Sequence, residues 1–378
     1  MLEKGRISPL ELSVLVILFT IGTTILATPS VMTAKAHQDA WLSSLISVIL
    51  CGLLAFFYVI CGKAMKRETY TQYLERVYGK IIGKMLSFSY VYFGFIGACS
   101  LLYQFSNFVT THMLVDTPLE VLNVMLALLV ILVVRGGLEV LAKTGELLIP
   151  WFMFMFFALV ILLIPQIEID RLSPLYVASF RDHMSAILNF LAFAGFPLVI
   201  FLMFYPGNIN RPDKTKWNFI IASLFGCVVA AILVLLCILV LGAPATTRQM
   251  FPGYVLAKTV SVFDIVERIE AVMASMWVLS IFFKTAVYFY GSVIGLADIV
   301  AVKDYRFLIL PFGLLTIVFS TFIYPNVTYM TYWDSKYWVP YSMIMGFFIP
   351  LLTLCIDKIK SGFTSSKQSK GKGGQKNC

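Results

Sequence analysis

Ten apolar runs divide this chain, and they restrict its fold more than any other feature. Crossing about 30 Å of hydrocarbon takes roughly 20 mostly apolar residues. Runs of that kind lie near Leu10 to Val31, Trp41 to Cys61, Met85 to Thr111, Leu119 to Val134, Leu147 to Ile164, Ser185 to Tyr205, Trp217 to Leu241, Ala271 to Leu296, Phe307 to Tyr324 and Trp338 to Ile356. Charged or Pro- and Gly-containing loops separate them, and the fourth and fifth are the shortest. Hydrophobic residues make up 60% and charged residues 13% of 378 positions, far from the soluble average. The expected fold is all-α and integral to a membrane, with about ten transmembrane helices.

A formal charge of +9 raises the question of an anionic partner, and its distribution answers it. With the N-terminus in the cytoplasm, 21 of the 29 Lys and Arg fall on cytoplasmic segments, 7 on outer ones, and Lys284 lies inside a span. That bias follows the positive-inside rule. Both termini are therefore placed in the cytoplasm, the excess charge is topogenic, and no nucleic-acid partner is implied. Residues 1–9 form a cytoplasmic N-terminus, residues 10–356 the ten-span domain, and residues 357–378 a basic Lys/Gly/Ser tail that reads as disordered and close to anionic headgroups. The opening "MLEKGR", an apolar stretch and "LATPSVMTAKA" also resemble a signal peptide, but Glu11 and the length of the apolar run argue against cleavage.

Of the seven cysteines, six lie within or at the ends of apolar runs and one ends the tail, with no Cys/His ligand spacing. Neither a disulfide framework nor a metal site is expected. His37, His112 and His183 fall in outer loops, where solvated surface histidines are the plain account. No Walker A sequence, HExxH or GxSxG appears, so no enzyme and no cofactor are expected.

Two runs carry interruptions. In lipid every backbone N–H and C=O must be satisfied by the chain itself, so irregular backbone belongs where it faces protein or a polar cavity. Gly22, Thr23 and Thr24 interrupt the first run, and "NFLAFAGFPLVIF" places Gly195, Phe196 and Pro197 in the sixth. Proline removes a donor and clashes with the preceding turn, which frees carbonyls around Phe193 and Ala194. The first and sixth runs hold corresponding positions in two five-span halves, about 10–164 and 185–356, and cross in opposite directions. That is a 5+5 inverted repeat with broken helices 1 and 6, meeting near the midplane. The second half of helix one is expected to begin near Ile25 and to offer amides and a partial positive charge to an anion such as a carboxylate. The freed carbonyls of helix six would accept from an ammonium or hydroxyl, with Phe193 and Phe196 as apolar walls. Each interruption also has a plainer reading: Gly22 as a small-residue contact, Pro197 as a kink.

Lys284 lies in the eighth run, just on the cytoplasmic side of its middle. A charge at that depth costs several kcal/mol, on the order of 3, unless paired or hydrated, and marks a functional candidate. Met273, Trp277, Ser280, Lys284, Tyr288, Gly291 and Gly295 recur at spacings that share one helical face. Lys284 is accordingly helix-bridging or proton-linked, with snorkelling to the interface as the alternative. Ser100, Gln104, Asn107 and Thr111 form a polar stripe on the third run, suited to the outward half of a cavity or to interhelical hydrogen bonds.

The residues resemble a known family, the B subunit of the GerA-type nutrient germinant receptors of bacterial endospores, within the amino acid/polyamine/organocation permease superfamily. The resemblance runs from "ISPLEL" and "IGTTIL" through "AHQDAWLSSLIS", "TYTQYLERVYGKIIGKMLSFSYVYF" and "LAKTGELLIPW" to "ERIEAVMASMWVLSIFFKTAVYFYG". It implies a LeuT-like fold, residence in the inner membrane of the spore, and assembly with an A subunit and a lipoprotein C subunit. It also implies binding of a small-molecule nutrient, an amino acid, sugar or nucleoside, that triggers germination. Carried onto this chain, the ligand region falls on Gly22, Thr23, Thr24 and Ile25, on Phe193, Ala194, Gly195 and Phe196, and on the facing residues Gly97, Trp277 and Ser280. In sodium-coupled relatives of this architecture a cation bridges helices one and eight, so the Lys284 ammonium would stand in for it. Glu267, Arg268 and Glu270 lie near the outer mouth as a gate, a subunit contact or a solvated helix start.

The site suits two function classes. In a receptor, ligand binding shifts a two-state equilibrium that partners read, and the ligand must favour one state. In a proton-coupled amino acid permease the same site alternates access. The resemblance alone favours the receptor.

Overall fold

A computed structural model describes residues 5–66, 68–210, 215–259 and 269–373, with side chains to residue 361. Eight helical stretches are long and apolar enough to cross a membrane, and two shorter ones, Pro9–Ile21 and Arg306–Phe322, complete the set. One of the eight, Thr24–Met65, joins half of the first pass to the whole of the second through a single 3₁₀ turn at His37–Asp39. Ten passes result among the described residues.

The first pass is split into α1 (Pro9–Ile21) and α2 (Thr24–Ala36). Glu11, a charge at the edge of an apolar run, closes a capping box with Ser8: the Ser8 amide donates to Glu11 Oε2 at 2.6 Å and the Glu11 amide to Ser8 Oγ at 3.2 Å, which satisfies two end groups of the helix. The second pass is α3 (Ala40–Met65), and a short amphipathic helix α4 (Tyr70–Tyr78) leads into the third, α5 (Lys80–His112). The fourth and fifth are α6 (Leu119–Gly136) and α7 (Leu138–Leu163). Only Gly137, at φ 96°, separates them, so α7 begins well before the expected Leu147. The left-handed conformation, open to glycine, turns the chain within one residue.

The sixth pass starts as α8 (Phe180–Ala194) and continues from Phe196 to Met203 as a 3₁₀ helix. The seventh is α9 (Thr215–Leu241), followed by two short helices, α10 (Ala243–Arg248) and α11 (Pro252–Lys258). The eighth is α12 (Glu270–Val300) and the ninth α13 (Arg306–Phe322). Glu270 opens α12, whereas Glu267 and Arg268 lie outside the described residues.

The tenth pass departs most from expectation. It begins at Val327 rather than Trp338 and runs as α14 (Val327–Trp333), a π-helical turn Asp334–Trp338, α15 (Val339–Met343), a second π turn Ile344–Phe348, and α16 (Ile349–Gly373). Residues 325–337 lie between the ninth and tenth apolar runs and read as a loop. Neither Gly nor Pro occurs between Asn326 and Val339, however, and without such breakers the helix continues. At its other end α16 carries helical backbone through Gly373, where composition predicts disorder from residue 357.

Burial separates a centre from a periphery. The most apolar window of the sixth pass is 89% buried, against 22% for the fifth. Trp151, Phe154 and Phe157 of α7 and Leu314 and Phe319 of α13 face outward, as lipid contact allows. Pass eight packs against passes one, three and five, and this centre holds both helix breaks. On the end away from the termini, "QDAWLS" acts as a staple. Buried Asp39 accepts from the amides of Tyr176 and Ala178 at 3.0 and 2.9 Å, Gln38 donates to the Pro174 carbonyl at 2.7 Å, and Ser43 pairs with His183 at 2.8 Å.

Candidate functional site

The first break occupies Gly22 and Thr23. Gly22 caps α1 at φ 20° and ψ −114°, its amide still donating to Leu18. Thr23 precedes α2, and Leu26 and Ala27 both donate to its carbonyl. A Cβ on Gly22 would overlap Lys284 Cδ. The two readings of Gly22 thus hold together: it ends a helix, and it makes room for a neighbour.

That neighbour ties three passes. Lys284 is 2% exposed, and its Nζ donates to the Phe193 carbonyl at 2.7 Å and to Thr23 Oγ1 at 3.3 Å, with the Phe19 ring centroid 5.3 Å away. The Phe193 carbonyl is the one that Pro197 deprives of its α-helical donor. The sequence offers this carbonyl to a ligand's ammonium, but the chain fills it with its own. The neighbouring carbonyls are filled likewise. Trp338 Nε1 donates to Ala192 at 3.0 Å, and the Tyr58 hydroxyl lies 2.9 Å from the carbonyls of both Phe196 and Gly346. Lys284 does not snorkel, because all its polar contacts lie within the bundle.

A cavity of about 20 Å³ lies against this junction, lined by Thr23, Gly97, Ser100, Leu101, Gln104, Phe193, Lys284, Tyr288, Asp334 and Trp338. Thr23, Gln104, Phe193 and Asp334 also line a much larger vestibule of about 600 Å³, bordered by α2, by the segment from Thr247 to Phe251 and by α14. The vestibule lies on the side away from the termini.

Of the residues expected at the site, Thr23, Gly97, Phe193 and Lys284 converge on the small cavity, joined by Ser100 and Gln104 from the polar stripe. Asn107 and Thr111 line neither space. Other expected residues support the junction from behind. Thr24 turns its hydroxyl back to the Thr20 carbonyl at 2.8 Å, and Ile25 is fully buried in the core. The Ser280 hydroxyl lies 3.2 Å from the Gly22 carbonyl and 3.0 Å from the Trp277 carbonyl of its own helix, so its one proton is shared between the broken backbone and α12. Trp277 stacks edge-on against Phe108 with centroids 4.6 Å apart. Ala194 and Gly195 end α8, with Leu54 and Cys51 packed against Gly195. Phe196 presses on Gly346, where a Cβ would come within 2.5 Å of the Phe196 carbonyl.

In the sequence Asp334 falls between the ninth and tenth apolar runs, where it reads as a loop residue. It opens the first π turn of the tenth pass, an irregularity often found at functional sites. Its Oδ2 accepts from Gln104 at 3.4 Å, and the Tyr324 hydroxyl, bonded to Ser100 at 2.8 Å, stands beside it. The ion pairs among the described residues join Arg76 to Glu68 and Asp357 and Arg171 to Glu168, so neither Lys284 nor Asp334 is in one. No group of His, Cys, Asp and Glu able to hold a metal occurs among the described residues.

Ten passes, the first and sixth broken against each other around a central cavity, define a LeuT-type membrane protein. Two solved structures share the fold. One is Mhp1, a nucleobase-cation-symport-1 family transporter in a closed conformation with bromovinylhydantoin bound; it is 14% identical, the match covers 90% of this chain and 77% of Mhp1, and the TM-score is 0.63. The other is MhsT in complex with L-phenylalanine, 11% identical, with 94% of this chain and 99% of MhsT covered and a TM-score of 0.64. Within that class the chain belongs to the spore germination protein family, whose model matches residues 6–328. It is 28% identical to spore germination protein KB of Bacillus subtilis (strain 168) over 86% of this chain and 87% of that protein. It is 23% identical to spore germination protein GerLB of Bacillus cereus, with 90% and 91% covered.

Proposed function

We propose that this multi-pass membrane protein is the B subunit of a nutrient germinant receptor in the inner membrane of the spore, working with an A subunit and a lipoprotein C subunit. It binds a small molecule at the junction of the two helix breaks and, on binding, triggers germination. The observation that carries this reading is the cavity itself. Polar side chains from passes one, three, eight and ten meet there at broken backbone, and the cavity continues into a vestibule on the side away from the termini. A ligand entering by the vestibule reaches Thr23, Phe193 and Lys284, three points of the tie between passes one, six and eight. A ligand that strengthens or opens that tie has the differential affinity for two states that signalling requires.

Spores carrying Thr23→Leu in place of the native chain test this. The variant should reach the membrane at normal level and leave responses to nutrients sensed by other receptors unchanged. The response to its own nutrient should need at least about tenfold more ligand, as expected when a polar contact worth about 1.4 kcal/mol is lost. An unchanged dose response would remove the site from the receptor's function. Rapid concentrative uptake of labelled nutrient by the purified chain alone in proteoliposomes would instead make it a permease.

A further inference from the structure

Pass ten straddles the break in pass six. Its first π turn, Asp334–Trp338, ends on Trp338, whose Nε1 donates to the Ala192 carbonyl in α8 at 3.0 Å. Its second, Ile344–Phe348, lies on the other side of the break, where Gly346 meets Phe196 so closely that a Cβ would come within 2.5 Å of the Phe196 carbonyl. Between the two turns α15 is ordinary α-helix. π turns are rare and found mostly at functional sites, and here each one faces one half of the broken pass. The halves of pass six are joined through Gly195 alone, so a change in the angle between them falls on pass ten between its two turns.

Tyr58 of pass two closes the second of these contacts. It is 1% exposed, and its hydroxyl lies 2.9 Å from the carbonyls of both Phe196 and Gly346. A tyrosine hydroxyl has a single proton to donate, and the two carbonyls belong to different passes, so that proton is shared only while they stay side by side. The same π turn is held from the cytoplasmic side. The Met345 carbonyl accepts from the Tyr90 hydroxyl at 2.7 Å, and Tyr90 accepts from the Tyr70 hydroxyl of α4 at 3.1 Å. Contacts therefore run without a gap from Phe193, which Lys284 holds at the cavity, along pass six to Phe196, across Tyr58 to pass ten, and on to a surface helix.

We propose, resting on the reading of the chain as a nutrient receptor, that Tyr58 is a positioning residue that couples the sixth-pass break to pass ten and so carries a rearrangement at the cavity to α4 on the cytoplasmic face. Coupling of this kind needs an element with two arrangements that both ends bias, and the break supplies it. Tyr58 lines neither the cavity nor the vestibule. Its hydroxyl acts on transmission and not on contact with the ligand.

The test uses spores that carry this chain in their only nutrient receptor, with nutrient broth in serial dilution as the stimulus and the chain at matched level. Tyr58→Phe keeps the ring and removes the hydroxyl. It should lower the maximal germination rate about fivefold, as expected for one neutral buried hydrogen bond, while the half-maximal dilution moves less than the rate. Tyr90→Phe, one step further along, should lower the maximal rate in the same way, and it decides if Tyr58→Phe does not accumulate. Ser106→Ala removes a buried bond of 2.7 Å to Asn123, between passes three and four. It should keep the native rate and dose, which separates transmission from a general loss of stability. A native rate in Tyr58→Phe, a shifted dose at unchanged maximal rate, or an equal fall in Ser106→Ala would each overturn the role of Tyr58. A native rate in Tyr90→Phe alone would end the route at pass ten and overturn its reach to α4. No germination by the native chain as sole receptor would overturn the receptor reading and the coupling with it.

Discussion

At Gly22 the backbone turns through φ 20° with Lys284 Cδ where a side chain would be. The lysine cannot easily withdraw, since its Nζ is held by Thr23 and Phe193. Gly22→Ala therefore meets a strained conformation and an overlap at once. It should cost about 2 kcal/mol or more, read as a lower unfolding midpoint of the purified chain. An alanine variant as stable as the native chain would mean that Lys284 is not pinned there. Single residues differed in how plainly the sequence announced them. Lys284 stands out because a cation in an apolar run is costly unless paired or hydrated, though the run alone leaves bridging, proton-linked and snorkelling roles open. Asp334 does not, because "YWDSKYW" lies between two apolar runs and reads as part of a loop.

At the scale of elements, the tenth pass links three levels of the molecule. Asp334 lies at the cavity, Gly346 abuts Phe196 at the sixth-pass break, and Asp357 in α16 receives Arg76 at 3.2 Å and the Tyr73 hydroxyl at 3.3 Å from α4. Lys360 adds a bond to the Val77 carbonyl at 2.6 Å. Two π turns in this pass leave main-chain carbonyls open; Tyr90 donates to that of Met345, and the single Tyr58 hydroxyl proton is shared between those of Gly346 and Phe196. Arg76 also bonds Glu68 and the Ala64 carbonyl, so Arg76→Ala frees α4 from α16 at Asp357 and from the end of α3 at the same time. Because these ion pairs are partly exposed, the global midpoint should hardly move. Amide hydrogen exchange over residues 70–78 and 353–361 should quicken, while α12 keeps its protection. Unchanged exchange there would mean that packing alone holds α4 on α16.

For the whole molecule, the charge bias and the vestibule together define a direction. Ile7 pairs with Ile209 beside the end of the sixth pass, so the loop after that pass lies at the same end as the N-terminus. Lys35 borders the vestibule at the opposite end. A membrane-impermeant maleimide applied to intact cells should label Lys35→Cys and leave the native Cys378 unlabelled until lysis. Of the other native cysteines, Cys51, Cys61, Cys99, Cys227 and Cys237 are buried, and Cys355, exposed toward the end that carries the termini, should stay unlabelled until lysis as Cys378 does. The reverse pattern would invert the topology and place the vestibule on the cytoplasmic side.

Hydropathy alone determined the class of fold and nine of the ten passes in outline, because lipid imposes its rule residue by residue and over fixed lengths. Gly22 and Pro197 located both helix breaks for an equally local reason: each acts on its own turn of backbone. Three-dimensional packing alone decided who fills the carbonyls those breaks expose. Trp338, Lys284 and Tyr58 reach them from passes far apart in sequence, so no spacing along the chain records the match. The same holds for Asp334. Only when the tenth pass is set against the third and eighth does an aspartate that reads as part of a loop become the second charge in a cavity with Lys284.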